Sequence, residues 1–380
     1  MRAPRDARTS ITPERRSWAA VRGRAGLLVA LLAAGLLATG TAAAAETAAG
    51  TGAETEIEGA PSAGAHAAGD TAAPGGAPAE LGATCYRVDA GRVACYETPR
   101  FYSFLLDGPL DIGRWLKRSF RRENALAIGG LAVATAGLVL VDQDLSRAAH
   151  DTGRAVHVSS TGKQKDIIPG VPIQYPTDLG SGLYYLGDGM VPVGITLGLL
   201  GYGLVASDSR ALQTTSQLAG GLLSVALVVQ TLKHATGRQS PSRATEPGGR
   251  WQPLPDPTEY QRNVPAFDAF PSGHVATAMV TITVLADNYP EYRLVRPIGY
   301  GLMTLLGFQM MNNDVHWASD YPLALAIGYG IGKTAVTHGR RVVDSAGAPG
   351  EAKRRDPAPG VTFLPVPLPG GGGLTLAGSF

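Results

Sequence analysis

The sequence predicts an all-α fold: a helical bundle of about six membrane-embedded helices, with disordered tails at both ends. Three observations carry that prediction. Only 17% of residues are charged, apolar blocks of helical length recur between residues 125 and 336, and polar or Pro/Gly-rich loops separate them. Scarce charge with abundant glycine suits helices packed closely in or near a bilayer, where small residues let backbones approach.

Residues 1–45 have the layout of a signal peptide or an uncleaved signal anchor. Arg15, Arg16, Arg22 and Arg24 precede an apolar run from Ala25 to Ala38, and small residues follow through Ala45. Either form exports the next segment. Residues 46–82 are Ala, Gly, Thr, Pro and Glu with almost nothing large to bury, which predicts a disordered linker. Cys85 and Cys95, the only two cysteines, bracket a turn at Asp89, Ala90 and Gly91, with Val88 and Val93 beside it. This predicts a hairpin over residues 83–100 that brings the thiols together, and an oxidising compartment pairs them as a disulfide. Residues 101–122 mix Phe104, Leu110, Trp115 and Phe120 with Arg114, Lys117, Arg118, Arg121 and Arg122. An amphipathic basic helix on an anionic membrane surface is expected; a surface helix of a soluble core shares the pattern.

The helical domain is expected over residues 123–338, with helices near 125–141, 189–206, 214–232, 274–287, 294–311 and 320–336. Only Ser207 to Arg210 separate the second from the third, short enough for an antiparallel pair. Several blocks fall short of the ~20 residues that span a bilayer, so a soluble bundle is the alternative. Between the third and fourth helices lies a long loop, Lys233 to Phe270, rich in Pro, Gly and Arg. Long loops at helix ends tend to carry function, and these basic residues point to an anionic ligand. Residues 339–380 return to Pro, Gly and charge and read as a disordered tail that ends in a strand-like segment.

Chemistry concentrates at three helix mouths: Lys233 with Arg238, the run Pro271-Ser272-Gly273-His274, and the segment from Asn312 to Asp320 that contains His316. At the start of a helix, backbone N–H groups lack partners and attract an anion; Ser272 adds a hydroxyl, Gly273 permits close approach, and His274 can protonate a leaving oxygen. His316 and Asp320 are four residues apart, which stacks them on one helix face. A carboxylate there accepts one imidazole N–H and leaves the other nitrogen free to attack. Lys233 and Arg238 offer donors to phosphate oxygens. Each feature also has a structural reading: an N-cap serine before a buried histidine, a His–Asp helix pair, and solvated loop charges. No metal site is expected, because no third and fourth ligand appear at matching spacing.

Together these clusters resemble the type 2 phosphatidic acid phosphatase superfamily, which includes soluble acid phosphatases and vanadium haloperoxidases. The resemblance covers residues 120–338. Its middle motif is complete at Pro271-Ser272-Gly273-His274, and its third is met by His316 and Asp320. Two motif arginines are missing: Ser240 follows Lys233 where one is expected, and Gln309-Met310 stands where the family has Ser-Arg. Arg238, Arg243 or Arg250 is then expected to reach the phosphate from the loop.

The resemblance implies a phosphatase that needs no cofactor. His316 attacks phosphorus to give a phosphohistidine, and His274 protonates the leaving oxygen. The expected substrate is a lipid phosphate monoester or pyrophosphate, with the membrane as partner and no nucleic acid. A vanadium-dependent haloperoxidase-like enzyme and a non-catalytic phospholipid-binding relative are the alternatives. The expected location is the bacterial cell envelope, in the inner membrane with the site facing the periplasm, or else the soluble periplasm.

Overall fold

The computed structural model describes residues 84–88, 91–161, 164–166, 174–187, 189–344, 361–368 and 371–378, so the expected signal segment (1–45) and linker (46–82) lie outside the described residues. Two strands come first, β1 (Thr84–Arg87) and β2 (Arg92–Tyr96), then α1 (Ser103–Ser119) and, after one 3-10 turn, α2 (Ala125–Ala155). A small strand pair, β3 (Gln164–Asp166) and β4 (Gln174–Pro176), leads into the short α3 (Leu179–Tyr185). The chain continues as α4 (Met190–Ala206), α5 (Ser209–Thr236), α6 (Pro257–Arg262), α7 (Gly273–Asn288), α8 (Val295–Asn312) and α9 (Tyr321–Ala335). Strands β5 (Arg340–Asp344), β6 (Val361–Leu368) and β7 (Gly371–Gly378) follow, the last two paired antiparallel. The architecture is mostly helical, as the periodicity predicts.

Helix α5 is the axis of the bundle: α1, α4, α7 and α9 all pack on it. It starts where Asp208 accepts the Ala211 N–H at 3.0 Å, a side-chain N-cap. Its Leu218, Val225 and Val229 share one buried core with Val275, Met279 and Val280 of α7, Leu306 and Met310 of α8, and Ile327 and Ile331 of α9. Helices α7 and α9 approach unusually closely because α9 presents Gly328 and Gly332 to α7. A Cβ on Gly328 would lie 2.4 Å from the Ala276 carbonyl oxygen, and one on Gly332 would lie 2.8 Å from Thr283 Cβ. This small-residue seam lets two helices that each begin with chemical residues begin side by side.

The end of the bundle opposite those helix starts carries a sheet in the order β1-β2-β5. Cys85 pairs in register with Cys95, and their sulfurs are bonded. The sheet is tied to the start of α5 and the end of α7: Thr84 N–H donates to Ser209 Oγ, Tyr86 Oη to Asp208, and Tyr96 Oη to the Asn288 carbonyl. Arg210, 2% exposed, lies against the rings of Tyr86 and Tyr289 and forms a two-pronged pair with Glu291. The expected tail therefore needs correction at its start. Arg340–Asp344 pairs along β2, and burying β2 between two strands is what holds this segment in place.

Helix α1 forms as a basic helix in which Gly108 and Asp111 face the core while Leu105, Leu106 and Leu110 are exposed, as a helix lying on a membrane surface would present them. One further expectation changes. Six membrane-embedded helices are not found among the described residues. Among the described residues two helices are long and apolar enough to cross a bilayer, Arg122–Ala155 and Ser209–Thr236, and the bent pair α3–α4 makes a third if it counts as one span. Helices of 15 to 18 residues such as α7, α8 and α9 reach about 22–27 Å at 1.5 Å per residue, short of the ~30 Å apolar thickness.

Candidate active site

Three connections bring the chemical segments to one end of the bundle. Gly237 ends α5 in the left-handed region (φ 55°), where a Cβ would meet the Gln252 carbonyl oxygen at 1.8 Å. Only glycine fits there, and the chain reverses into Arg238. The Arg238 carbonyl then accepts the Ala269 N–H at 3.0 Å, and Ser272 N–H donates to the Asp320 carbonyl at 3.0 Å. The end of α5, the start of α7 and the turn before α9 are thus stitched together by backbone bonds.

His316 sits at the centre, 2% exposed. Its Nδ1 lies 2.8 Å from the Ala269 carbonyl oxygen and 3.3 Å from Asp320 Oδ2. A carbonyl only accepts, so Nδ1 carries the proton and Nε2 keeps its lone pair. The expected His–Asp contact is present, but the shorter bond goes to Ala269, a partner that spacing in the sequence does not reveal. The His274 ring lies edge-on to His316 with centroids 5.6 Å apart, and Tyr184 of α3 contacts His274 from another side at 5.1 Å. Burial holds the His316 ring well below the usual histidine range, and the nearby positive charges of Lys233 and His274 add to this; Asp268 and the Ala269 carbonyl pull the other way. The ring is therefore a neutral base at neutral pH.

Asp320 is fully buried and holds three donors. Its Oδ2 accepts Trp317 N–H at 2.7 Å besides facing His316, and its Oδ1 accepts from Arg238 at 2.6 Å. Burial pushes its carboxyl up to about 6, against the pull of Arg238 and the Trp317 N–H. Arg238 requires a correction. It is 0% exposed, and all five of its N–H groups are taken: Nε and Nη2 by the Gly248 carbonyl, Nη2 also by Asp142, and Nη1 by Ser319 and Asp320. Trp251 and Trp317 cover its faces. No donor is left for a phosphate, so Arg238 positions Asp320 instead.

Lys233 lies in the pocket with its ammonium 4.0 Å from where a Gly273 Cβ would stand and 3.1 Å from Asp268 Oδ2. Ser272 is fully buried and caps α7, accepting Val275 N–H at 3.4 Å. Arg243 is exposed on the 3-10 turn after Ser240, and Arg250 is exposed further along the same loop. The two positions that lack motif arginines are closed to phosphate: Ser240 is 3% exposed with its N–H on the Pro265 carbonyl, and Met310 is fully buried in the core. The sequence reading missed Asp142, Asp268 and Ser319. Asp142 was the one with a visible signal, as the carboxylate that ends the charge-free run of residues 125–141.

Residues 214–342 match a family model described as the PAP2 superfamily. No curated protein and no solved structure matches the chain. The matched segment contains Lys233, the Pro271-to-His274 run, His316 and Asp320; Asp142 and the first two strands lie before it.

Proposed function

We propose that this chain, whose residues 214–342 belong to the PAP2 superfamily, is a phosphoester hydrolase that acts on a lipid phosphate through a phosphohistidine on His316. The observation that carries the reading is the state of His316: Nδ1 is engaged by Ala269 and Asp320, and among the described residues no hydrogen bond occupies Nε2. In the first step Nε2 attacks phosphorus, the P–O ester bond breaks, and His274 gives a proton to the departing oxygen. Water then attacks the phosphohistidine, His274 takes the water's proton, and phosphate leaves. Lys233 steadies the phosphoryl oxygens, and Asp320 stabilises the imidazolium as it forms.

The lipid part of the reading is supported by the outer surface. Leu126, Val133 and Leu140 on α2 and Val205 on α4 are each at least 74% exposed, more large apolar surface than a water-facing bundle tends to show. An envelope membrane with the site near head-group level fits that surface. Phosphate release from phosphatidate in mixed micelles, at fixed surface concentration beside a water-soluble monoester, tests the proposal. The lipid is expected to be preferred, and activity should persist with EDTA because no metal takes part in the steps above. His316→Ala should abolish release while retaining the helical circular dichroism. Full activity in that variant contradicts the mechanism; a folded wild-type protein that binds phospholipid but releases no phosphate points to the non-catalytic relative.

A further inference from the structure

We propose that Asp268 makes this site select a singly charged phosphoester, either a diester or the monoanion of a monoester, over a doubly charged monoester. The inference rests on the phosphoester reading of the same pocket and follows from its charges. Two cations, Lys233 and Arg238, stand against three carboxylates, Asp142, Asp268 and Asp320, all linked by ion pairs of 3.1 Å or less. Arg238 is spent on Asp142 and Asp320. Lys233 is therefore the only buried cation left for substrate among the described residues, and Asp268 already occupies it at 3.1 Å.

Among the described residues no other buried cation near the pocket corrects the balance. Met310 and Ser240 fill the two arginine positions with neutral side chains, and His316 is held neutral by burial. On the remaining elements that face the pocket, α7 supplies His274, while the segment before α9 supplies Asp314, which pairs with His150 of α2 at 3.1 Å. Arg243 and Arg250 are exposed on the loop. Even with His274 protonated as the leaving-group acid, these charges sum only to zero, so a dianionic phosphate brings two negative charges beside Asp268 with a single cation, Lys233, to meet them, in surroundings that screen charge poorly. A monoanion brings one, and Lys233 can meet it.

The test compares p-nitrophenyl phosphate with bis(p-nitrophenyl) phosphate, which share a leaving group; the diester keeps one charge at every pH used. Taking the ratio of their kcat/KM values cancels ionisations of the enzyme that affect both. For the wild type the monoester:diester ratio should fall about tenfold per pH unit above the monoester's second ionisation, which is complete by pH 7 to 8. In Asp268→Asn the ratio at pH 8 should rise by about tenfold or more, the scale of one nearby unit charge removed; Asp268→Ser should do the same and guards against a local folding defect. A flat wild-type ratio across pH 6 to 8, or an unchanged ratio in both variants, overturns the inference. If the wild type turns over neither ester, the hydrolase reading fails separately. Equilibrium binding of orthophosphate then decides the charge inference: affinity should weaken as orthophosphate becomes dianionic, and do so less in Asp268→Asn, whereas identical profiles overturn it.

Discussion

Arg238 lies between Asp142 and Asp320 with every N–H occupied, so truncating it leaves two buried carboxylates without their cation. Arg238→Ala should therefore lower unfolding stability by about 3–5 kcal/mol, the usual cost of breaking a buried ion pair from one side. Chemical denaturation reads this directly, and a wild-type midpoint contradicts the pairing. His316 gives a pH signature of stability. Its folded-state proton affinity is depressed below the ordinary value of 6.5, so protons bind the unfolded chain more readily. The contribution of the neutral ring is present above pH 6.5 and is lost as pH falls below it. Asp320, raised to about 6, works in the opposite sense: its contribution is present below about 3.8 and lost as pH rises through 6. His316→Gln should thus flatten the loss of stability between pH 7 and pH 5, measured by urea unfolding, while an unchanged slope assigns the effect elsewhere. At this scale the sequence reveals His274, His316, Asp320 and Lys233 because their spacing is local or follows a motif. It hides the Ala269 carbonyl, Asp142 and Asp268, whose parts depend on contacts between distant segments, and it gives Arg238 the wrong partner because burial cannot be read from one position.

Helix α9 can lie against α7 only while Gly328 and Gly332 lack side chains, and that contact sets the starts of the two helices together. Gly328→Ala places a methyl group 2.4 Å from a backbone oxygen, which cannot move as a flexible side chain can. The variant should lose about 1–3 kcal/mol by overpacking, and its kcat should fall as His316 and His274 shift apart. Wild-type stability and rate in Gly328→Ala would show that the seam is looser than the structure has it. Helix positions were legible in the sequence to within a few residues where apolar periodicity is strong, as in Met190–Ala206, Gly273–Asn288 and Val295–Asn312. They were illegible where a helix turns polar. Helix α2 runs on to Ala155 because Asp142, Leu145, Ser146 and Ala149 are buried against neighbouring segments, although the apolar run itself stops at Val141. The inward face of α1 was hidden for a similar reason: Asp111 is buried by its 2.6 Å contact with His338, a partner 227 residues away.

Helix α5 separates two features that the sequence reading assigned to one compartment. The disulfide-bearing sheet binds its first turn through Ser209, and the candidate site gathers at its last turn around Lys233. Its 28 residues extend about 42 Å, longer than the apolar thickness of a bilayer. If α5 crosses the membrane, the sheet and the site face opposite sides. Single cysteines at Glu246, on the site loop, and Arg293, at the sheet end, should then react with a membrane-impermeant maleimide from opposite sides of sealed vesicles. Labelling of both from one side would mean that α5 does not cross. The proposed chemistry passes through one covalent intermediate. Rapid quenching in base of the enzyme with a 32P-labelled phosphoester, followed by peptide mapping, should yield acid-labile phosphate on His316. More of it should accumulate in His274→Gln when the leaving group is a nitrophenolate, which departs without a proton so that only the second step is slowed. Phosphate release by an active wild-type enzyme with no label on His316, or with label on another residue, would contradict the central claim.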